Sequence, residues 1–197
     1  MCGRYYIDDE TSKEIEKILQ DIDKKNSGKS YKTGEIFPTD TVPILVAQKD
    51  DIIPDLFTWG FPNFKSSGVI INARSETAFD RNMFRESLLS RRCIIPANGF
   101  YEWNNNKEKI YFTQPGSNII YLAGVYNAFN EENRFVILTT NANGSIADVH
   151  DRMPLILQRE ELQPWLFDSN QTQNFLKQIP TALERKSDYE QITFDFI

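Results

Sequence analysis

The sequence predicts an α+β fold, with a single domain built on a curved, largely antiparallel β-sheet or barrel with flanking helices. Short apolar segments of strand length recur along the chain and are bounded by Asn, Gly or Pro, and a few segments of helical period interrupt them. The chain has 197 residues, 40% of them hydrophobic, which suits one sizeable core. Because no repeat or clear linker divides the chain, we expect one domain over residues 1–197.

Three helices are predicted. Residues 10–25 form the first, because their apolar side chains recur at helical spacing, and Thr11 or Ser12 is available as its N-cap. The residues with this spacing are Ile15, Ile18, Leu19 and Ile22. The other two predicted helices cover residues 81–90 and 160–167.

The strands are predicted from short apolar runs. Residues 42–48 and 52–59 flank a polar Lys-Asp-Asp turn, which is typical of a hairpin. Further strands are predicted over residues 69–71, 93–96, 110–113, 119–126, 135–140 and 155–157.

The charge of the chain argues against a generally basic nucleic-acid binder. The formal net charge is -6 and the isoelectric point is near 4.9, whereas affinity for phosphate comes largely from Lys and Arg. Cations are nevertheless concentrated within residues 65–92, at Lys65, Arg74, Arg81, Arg85, Arg91 and Arg92. This segment forms either a basic face or a solvated surface with charges on several sides.

The sequence also indicates where the protein resides. No apolar run approaches the roughly 20 residues of a membrane span, and the N-terminal segment lacks the basic and apolar regions of a signal peptide. We therefore expect a cytoplasmic protein that makes no membrane contact. Two cysteines are too few for a disulfide framework, and two cysteines with one histidine argue against a zinc site, so we expect neither metal nor cofactor.

Cys2 carries distinctive chemistry if Met1 is removed, as is usual before a small residue. The mature chain then begins with a 1,2-aminothiol, whose amine and thiol have reference pKa values of about 8 and about 8.5. The amine condenses with an aldehyde to an imine, and the adjacent thiolate closes a five-membered thiazolidine ring, a step favoured by proximity. The alternative is that Cys2 simply follows Met1 and has no such role.

Five short motifs together resemble the SRAP (SOS response-associated peptidase) family of abasic-site processing proteins, in the order of that family. They are Met1-Cys2-Gly3-Arg4, Trp59-Gly60, Asn72-Ala73-Arg74-Ser75-Glu76-Thr77, Gly99-Phe100-Tyr101-Glu102-Trp103 and His150-Asp151-Arg152-Met153-Pro154. Each motif alone is weak evidence, but together they span most of the chain.

The resemblance implies four catalytic residues. Cys2 would capture the ring-opened sugar aldehyde of an abasic site, and Asn72 would orient Cys2 or the sugar. Glu102 lies in an apolar run, where desolvation raises a carboxyl pKa and suits a general acid/base. His150, the only histidine, would assist imine formation, strand release by elimination, or reversal. The alternatives are a turn residue for Asn72, a buried satisfied carboxylate for Glu102 and a structural role for His150.

The resemblance also implies a set of DNA-binding residues. Arg4, Arg74 and Arg152 would bind backbone phosphates, for which the guanidinium fork is suited. Thr139 matches a family position near bound DNA. Phe64 lies where the family often has a stacking aromatic, although the spacing here is one residue shorter and Phe replaces Trp. Phe64 as a core residue and Arg74 as a surface ion-pair member are the alternatives.

The expected partner is therefore single-stranded DNA containing abasic sites, bound by a monomer that meets the replication machinery and associates with the nucleoid when on DNA. Lyase and peptidase activities would accompany crosslinking. Two other functions remain open. One is a cysteine-dependent peptidase or autoprocessing hydrolase, related in logic to N-terminal-nucleophile amidotransferases. The other is a non-covalent reader of single-stranded DNA, which would bind in a salt-sensitive way without covalency.

Overall fold

The computed structural model describes residues 2–25, 28 and 30–187. Its α-helices are α1 (Lys13–Lys25), α2 (Asn82–Ser90), α3 (Leu162–Phe167) and α4 (Thr172–Leu176). Short 3-10 turns cover Ser75–Asp80, Arg159–Glu161 and Ser169–Gln171. The strands are β1 (Arg4–Ile7), β2 (Gly34–Ile36), β3 (Thr41–Gln48), β4 (Asp51–Trp59), β5 (Phe61–Pro62), β6 (Val69–Ile70), β7 (Asn72–Arg74), β8 (Arg92–Ala97), β9 (Gly99–Trp103), β10 (Lys109–Thr113), β11 (Ile120–Phe129), β12 (Glu132–Asn141), β13 (Arg152–Pro154), β14 (Ile156–Leu157) and β15 (Glu184–Ser187).

Five strands close into a barrel in the order β12–β4–β3–β8–β11 and back to β12. All neighbours in this ring are antiparallel except β4 and β12, which run parallel, with Thr58 opposite Arg134. Inside, the rings of Trp59 and Phe135 stack with centroids 6.3 Å apart. The mixed fold and the predicted antiparallel barrel are therefore confirmed.

A second sheet of five antiparallel strands has the order β15–β10–β9–β1–β2. Successive residues of a strand point to opposite faces of the sheet, so every second residue faces inward. Several of these inward residues are buried aromatic side chains. Tyr5, Phe100 and Phe112 lie on this face, and the Tyr5 ring is 5.1 Å from that of Trp59 in the barrel. The two sheets thus share one core, and the start of β1 lies where they meet.

The predicted α1 helix and the β3–β4 hairpin are confirmed. The apolar residues predicted for α1 are buried, and the Ser12 hydroxyl accepts a hydrogen bond from the amide of Ile15 at 3.4 Å. Ser12 is therefore the N-cap, whereas the Thr11 hydroxyl bonds to Asp8 and Asn98. The hairpin pairs all eight residues of β3 with β4.

The predicted helix over residues 160–167 begins later than expected. Arg159–Glu161 form a 3-10 turn closed by a capping box between Gln158 and Glu161, and α3 follows it. Several short strands were not predicted from the sequence, among them β1, β7 and β13, because their polar residues interrupt the apolar pattern. In the described part of the chain, no helix is both long and apolar enough to cross a membrane.

Candidate functional site

Cys2 lies two residues before the start of β1, in the region where the two sheets meet. It is fully buried, and its carbonyl oxygen accepts a hydrogen bond of 2.9 Å from the side-chain amide of Asn72. Asn72 begins β7, which runs parallel to β12 of the barrel. This bond therefore fixes the first described residue of the chain against the barrel wall.

Glu102 lies on β9 with its side chain directed to the inward face of the five-stranded sheet. The residue is only 3% exposed, and burial raises the pKa of its carboxyl group, while the positive charge of His150 opposes that rise. Burial also raises the pKa of the Cys2 thiol well above its ordinary value, and the charge of Glu102 raises it further. Glu102 is thus within electrostatic range of both Cys2 and His150.

His150 is half-buried in the turn that joins β12 to β13. Its Nδ1 lies 2.9 Å from the backbone amide of Arg152 and 2.9 Å from a carboxylate oxygen of Asp151. The same nitrogen cannot accept the first bond and donate the second at once. The neutral ring accepts from the amide, whereas the protonated ring donates to Asp151 and no longer accepts from that amide.

Arg152 begins β13, directly after this turn, and its side chain is buried, with 5% exposed. Its guanidinium donates two parallel hydrogen bonds to Glu76, at 2.7 and 2.8 Å. Further bonds reach the side chain of Asn141 at 2.7 Å and the carbonyl oxygen of Thr139 at 2.6 Å. This cluster joins the turn that carries His150 to the segment that follows β7, and we call it the Arg152 clamp.

Thr139 is fully buried in β12, opposite Arg74 on one side and Pro154 on the other. The sequence led us to expect that Thr139 and Arg152 touch DNA. The structure places both below the surface, because β7 and β13 flank Thr139 and the guanidinium of Arg152 is turned toward Glu76 and the carbonyl of Thr139. Both residues contact the groups that carry the site instead of facing solvent.

An open groove of about 710 Å³ starts beside Asn72 and is lined by exposed cations. Lys65, Arg74 and Arg81 contribute positive charge, against one carboxylate, that of Asp80. Of the six cations of the predicted basic face, these three line one groove, whereas Arg85, Arg91 and Arg92 do not line it. Arg92 is buried and donates to backbone carbonyls of α2 and α3.

Phe64 also lines this groove, and 77% of its surface is exposed. Its ring touches only the edge of an aromatic cluster, with the centroid 6.2 Å from that of Phe129. The alternative of a core residue is thus excluded. An apolar ring held at the rim of a cationic groove offers a flat face to a ligand.

Arg4 lies on β1, two residues after Cys2. Its guanidinium is held between the rings of Phe37 and Trp103, at 4.3 and 4.9 Å from their centroids, and donates to Glu35 at 3.2 Å. The side chain is partly exposed. Cationic groups therefore lie on both sides of Cys2, with Arg74 on the barrel side and Arg4 on the side of the five-stranded sheet.

The family model described as SOS response associated peptidase (SRAP) matches residues 1–193. The chain belongs to the SRAP family. Among curated relatives of this SRAP chain is the abasic site processing protein YoqW of Bacillus subtilis, 31% identical over 194 residues, a match that covers 91% of this chain and 86% of the relative. The abasic site processing protein YedK of Escherichia coli is 26% identical, covering 84% and 79% of the two chains.

Solved structures agree with the fold of this SRAP chain. A protein from Bacteroides thetaiotaomicron superimposes with a TM-score of 0.76 at 24% identity, covering 94% of this chain and 91% of the other. A protein from Bordetella bronchiseptica gives a TM-score of 0.75 at 21% identity, covering 94% and 99%. At this level of identity the likeness concerns the fold alone.

Two parts of the SRAP site went unassigned from the sequence. They are the carboxylates of Glu76 and Asp151, which contact Arg152 and His150. The sequence shows Glu76 and Arg152 as opposite charges in two separate motifs, but it does not indicate that they pair. Within the described ranges, no group of three His, Cys, Asp or Glu side chains is arranged to hold a metal ion.

Proposed function

We propose that this SRAP protein binds single-stranded DNA containing abasic sites and, once Met1 is removed, forms a thiazolidine crosslink through Cys2. The observation that carries the proposal is the environment of Cys2. Asn72 holds its backbone, Glu102 acts electrostatically on its thiol, and a cationic groove with an exposed aromatic ring begins at Asn72. The names of the relatives, abasic site processing proteins, support the same substrate.

The proposed reaction balances as a condensation. The α-amine of Cys2 adds to the C1′ aldehyde of the ring-opened deoxyribose, and the carbinolamine loses water to give an imine. The thiol sulfur then bonds to the same carbon while its proton passes to the nitrogen, which closes the thiazolidine ring. One water leaves in total, and no oxidant, reductant or cofactor is consumed.

Removal of Met1 matters for both nucleophilic atoms. With Met1 attached, the nitrogen of Cys2 is an amide, and burial keeps the thiol protonated. A new α-ammonium on the same residue would favour the thiolate, because an adjacent positive charge lowers a thiol pKa. Cleavage thus creates the amine and makes the neighbouring sulfur more acidic.

Glu102 is suited to move protons in this sequence. Its raised pKa makes the protonated carboxyl group more available near neutral pH, so it can donate to the hydroxyl that departs as water. His150 can take a proton on one nitrogen while its partners at Nδ1 exchange roles. If His150 instead removes a C2′ proton from the imine, elimination of the 3′ phosphate follows, which would give lyase activity.

For the DNA strand, the proposal assigns phosphate contacts to Arg74 and Arg4 and base stacking to Phe64. Arg74 and Phe64 are exposed and line one groove, and Arg4 is partly exposed. Arg152 and Thr139 contribute indirectly, because the Arg152 clamp supports the turn that carries His150. A peptide-bond hydrolysis by the unreacted Cys2 remains the secondary activity to test.

The deciding experiment is intact mass spectrometry after incubation of the processed protein with an abasic oligonucleotide. We expect a heat-stable species whose mass equals the two reactants less one water. The Cys2→Ala variant should give none, and Cys2→Ser should give at most an imine that is lost on heating. Cys93→Ala is the matched control, because Cys93 is also a buried cysteine, lies in the barrel, and should leave the adduct unchanged.

Other outcomes would point elsewhere. Equal, salt-sensitive binding of undamaged and abasic strands without an adduct would support the non-covalent reader and contradict the crosslinking proposal. Rapid turnover of unrelated peptides that depends on Cys2 would favour the peptidase. An adduct that survives in Cys2→Ala would show that another nucleophile is used.

A further inference from the structure

The outward face of the five-stranded sheet is rich in aromatic side chains. Residues directly opposite one another in neighbouring strands share a face. Arg4 is opposite Tyr101, Tyr101 is opposite Tyr111, and Trp103 is opposite Lys109. Five aromatic residues lie on this side of the sheet, none of them fully buried, and we call them the aromatic face: Tyr6, Phe37, Tyr101, Trp103 and Tyr111.

These rings form a continuous surface. The centroids of Tyr101 and Tyr111 are 4.9 Å apart, and those of Tyr6 and Tyr111 are 6.5 Å apart. Arg4 joins the rings of Phe37 and Trp103 by lying between them. Phe37 is 41% exposed, so the outer side of its ring is available to a ligand.

Three cations lie among the rings of this face. Arg4 and Lys109 both pair with Glu35, and the Lys109 ammonium lies 4.0 Å above the Tyr101 ring. Lys186, opposite Tyr111, adds a third cation. Glu35, Asp8 beside Tyr6 and Tyr111, and Glu184 opposite Thr113 supply three carboxylates on the same side, so the face carries both signs of charge. Flat rings interleaved with cations are the combination that binds single-stranded nucleic acid.

The aromatic face lies on the opposite side of the five-stranded sheet from Glu102, and it approaches the site at the start of β1. Arg4, on this face, is two residues from Cys2. The groove that holds Phe64 and Arg74 lies on the other side of Cys2, against the barrel. A strand with its lesion at Cys2 would thus meet stacking rings in both directions.

We propose that the aromatic face binds the bases on one side of the lesion, with Phe37 as the principal stacking ring and Lys109 as a phosphate contact, while Phe64 serves the bases on the opposite side. This inference rests on the proposed function, since it takes the lesion to lie at Cys2. It extends the binding site to nucleotides that undergo no chemistry.

The test uses an oligonucleotide with a tetrahydrofuran abasic analogue, which lacks the aldehyde and cannot crosslink. A fluorescent adenine analogue is placed next to the lesion on its 5′ side in one probe and on its 3′ side in another. We expect Phe37→Ala to abolish the fluorescence change at one flank and Phe64→Ala to abolish it at the other. Each substitution should raise the Kd for the probe about five- to tenfold, which corresponds to the lower end of the free energy that one stacked base contributes.

Phe167→Ala is the matched control, because Phe167 is a partly exposed phenylalanine at the end of α3. The inference is overturned if Phe37→Ala behaves like this control, or if Phe37 and Phe64 report on the same flank. A protein partner on the aromatic face would give the first of these results. Because the probe cannot react, a lack of adduct with genuine abasic DNA would count against the proposed chemistry and leave this result intact.

Discussion

The Arg152 clamp permits a quantitative prediction for Glu76→Gln. The substitution keeps one oxygen acceptor but replaces the other with an amide that faces a guanidinium N–H. Removing one partner of a buried ion pair costs about 3–5 kcal/mol. Because Glu76 is 46% exposed and Asn141 and Thr139 still accept from Arg152, we reduce this to about 2 kcal/mol. For a chain of this length that lowers Tm by about 4–8 °C.

The pH dependence of this loss provides a second test. Partial burial raises the pKa of Glu76, but the hydrogen bonds and charge of Arg152 outweigh it, so the pKa lies below the ordinary value of 4.5. A carboxyl group with a lowered folded-state pKa stabilises the fold above its unfolded value, and that contribution is lost as the pH falls through the folded value. The difference between wild type and Glu76→Gln should therefore be full at neutral pH and shrink below about pH 4.5.

Urea denaturation at several pH values measures both effects, with Glu86→Gln as the control. Glu86 is exposed on α2, so its substitution should change the free energy of unfolding by less than about 0.5 kcal/mol. A Glu76→Gln variant as stable as this control at neutral pH, or one whose loss of stability persists in acid, would contradict this role of the Glu76–Arg152 ion pair. The Glu76→Gln variant with Met1 removed should also form the adduct more slowly than wild type, even at temperatures well below its unfolding temperature, because the Arg152 clamp supports the His150 turn.

Three further predictions concern the fold that carries the site. Glu102→Gln should be more stable than wild type at about pH 8 and equally stable at about pH 3. Burial raises the pKa of the Glu102 carboxyl group in the folded state, so the wild type loses stability as the pH rises and this group must ionise in the fold. Urea midpoints at the two pH values check this, and equal midpoints at high pH would contradict it. Gly124→Ala should lower the free energy of unfolding by about 2 kcal/mol, because the added methyl would lie 2.6 Å from a β8 methyl and 2.8 Å from a β12 carbonyl oxygen. Gly144→Ala is the control: its added methyl has no neighbour within 4 Å, so thermal melts should show almost no change. Arg92→Met should lower the free energy of unfolding by about 3 kcal/mol, because it leaves carbonyl oxygens of α2 and α3 without donors. Arg85→Met, on the exposed side of α2, should cost far less. Similar losses for the two variants would contradict the role of Arg92 as donor to these carbonyls.

The sequence by itself determined the features that depend on neighbouring residues. The spacing of Ile15, Ile18, Leu19 and Ile22 was sufficient for α1, since a helix buries residues on one side at a fixed period. The β3–β4 hairpin followed from two apolar runs and a polar turn. The aminothiol chemistry proposed for Cys2 is likewise local, because both reactive atoms would belong to one residue.

Only the tertiary structure decided the features that depend on residues distant in the chain. The barrel closes through the parallel pairing of β4 with β12, in which Thr58 lies opposite Arg134, 76 residues later in the chain, and no local pattern specifies that pairing. Burial separated residues that look alike in the sequence, since Arg74 is exposed in the groove while Arg152 is enclosed by Glu76 and Thr139. Side-chain type gives the chemistry available at a position, but solvent exposure and charge partners are set by the packing of the whole chain, and these decide whether a cation can meet DNA or must hold the protein together.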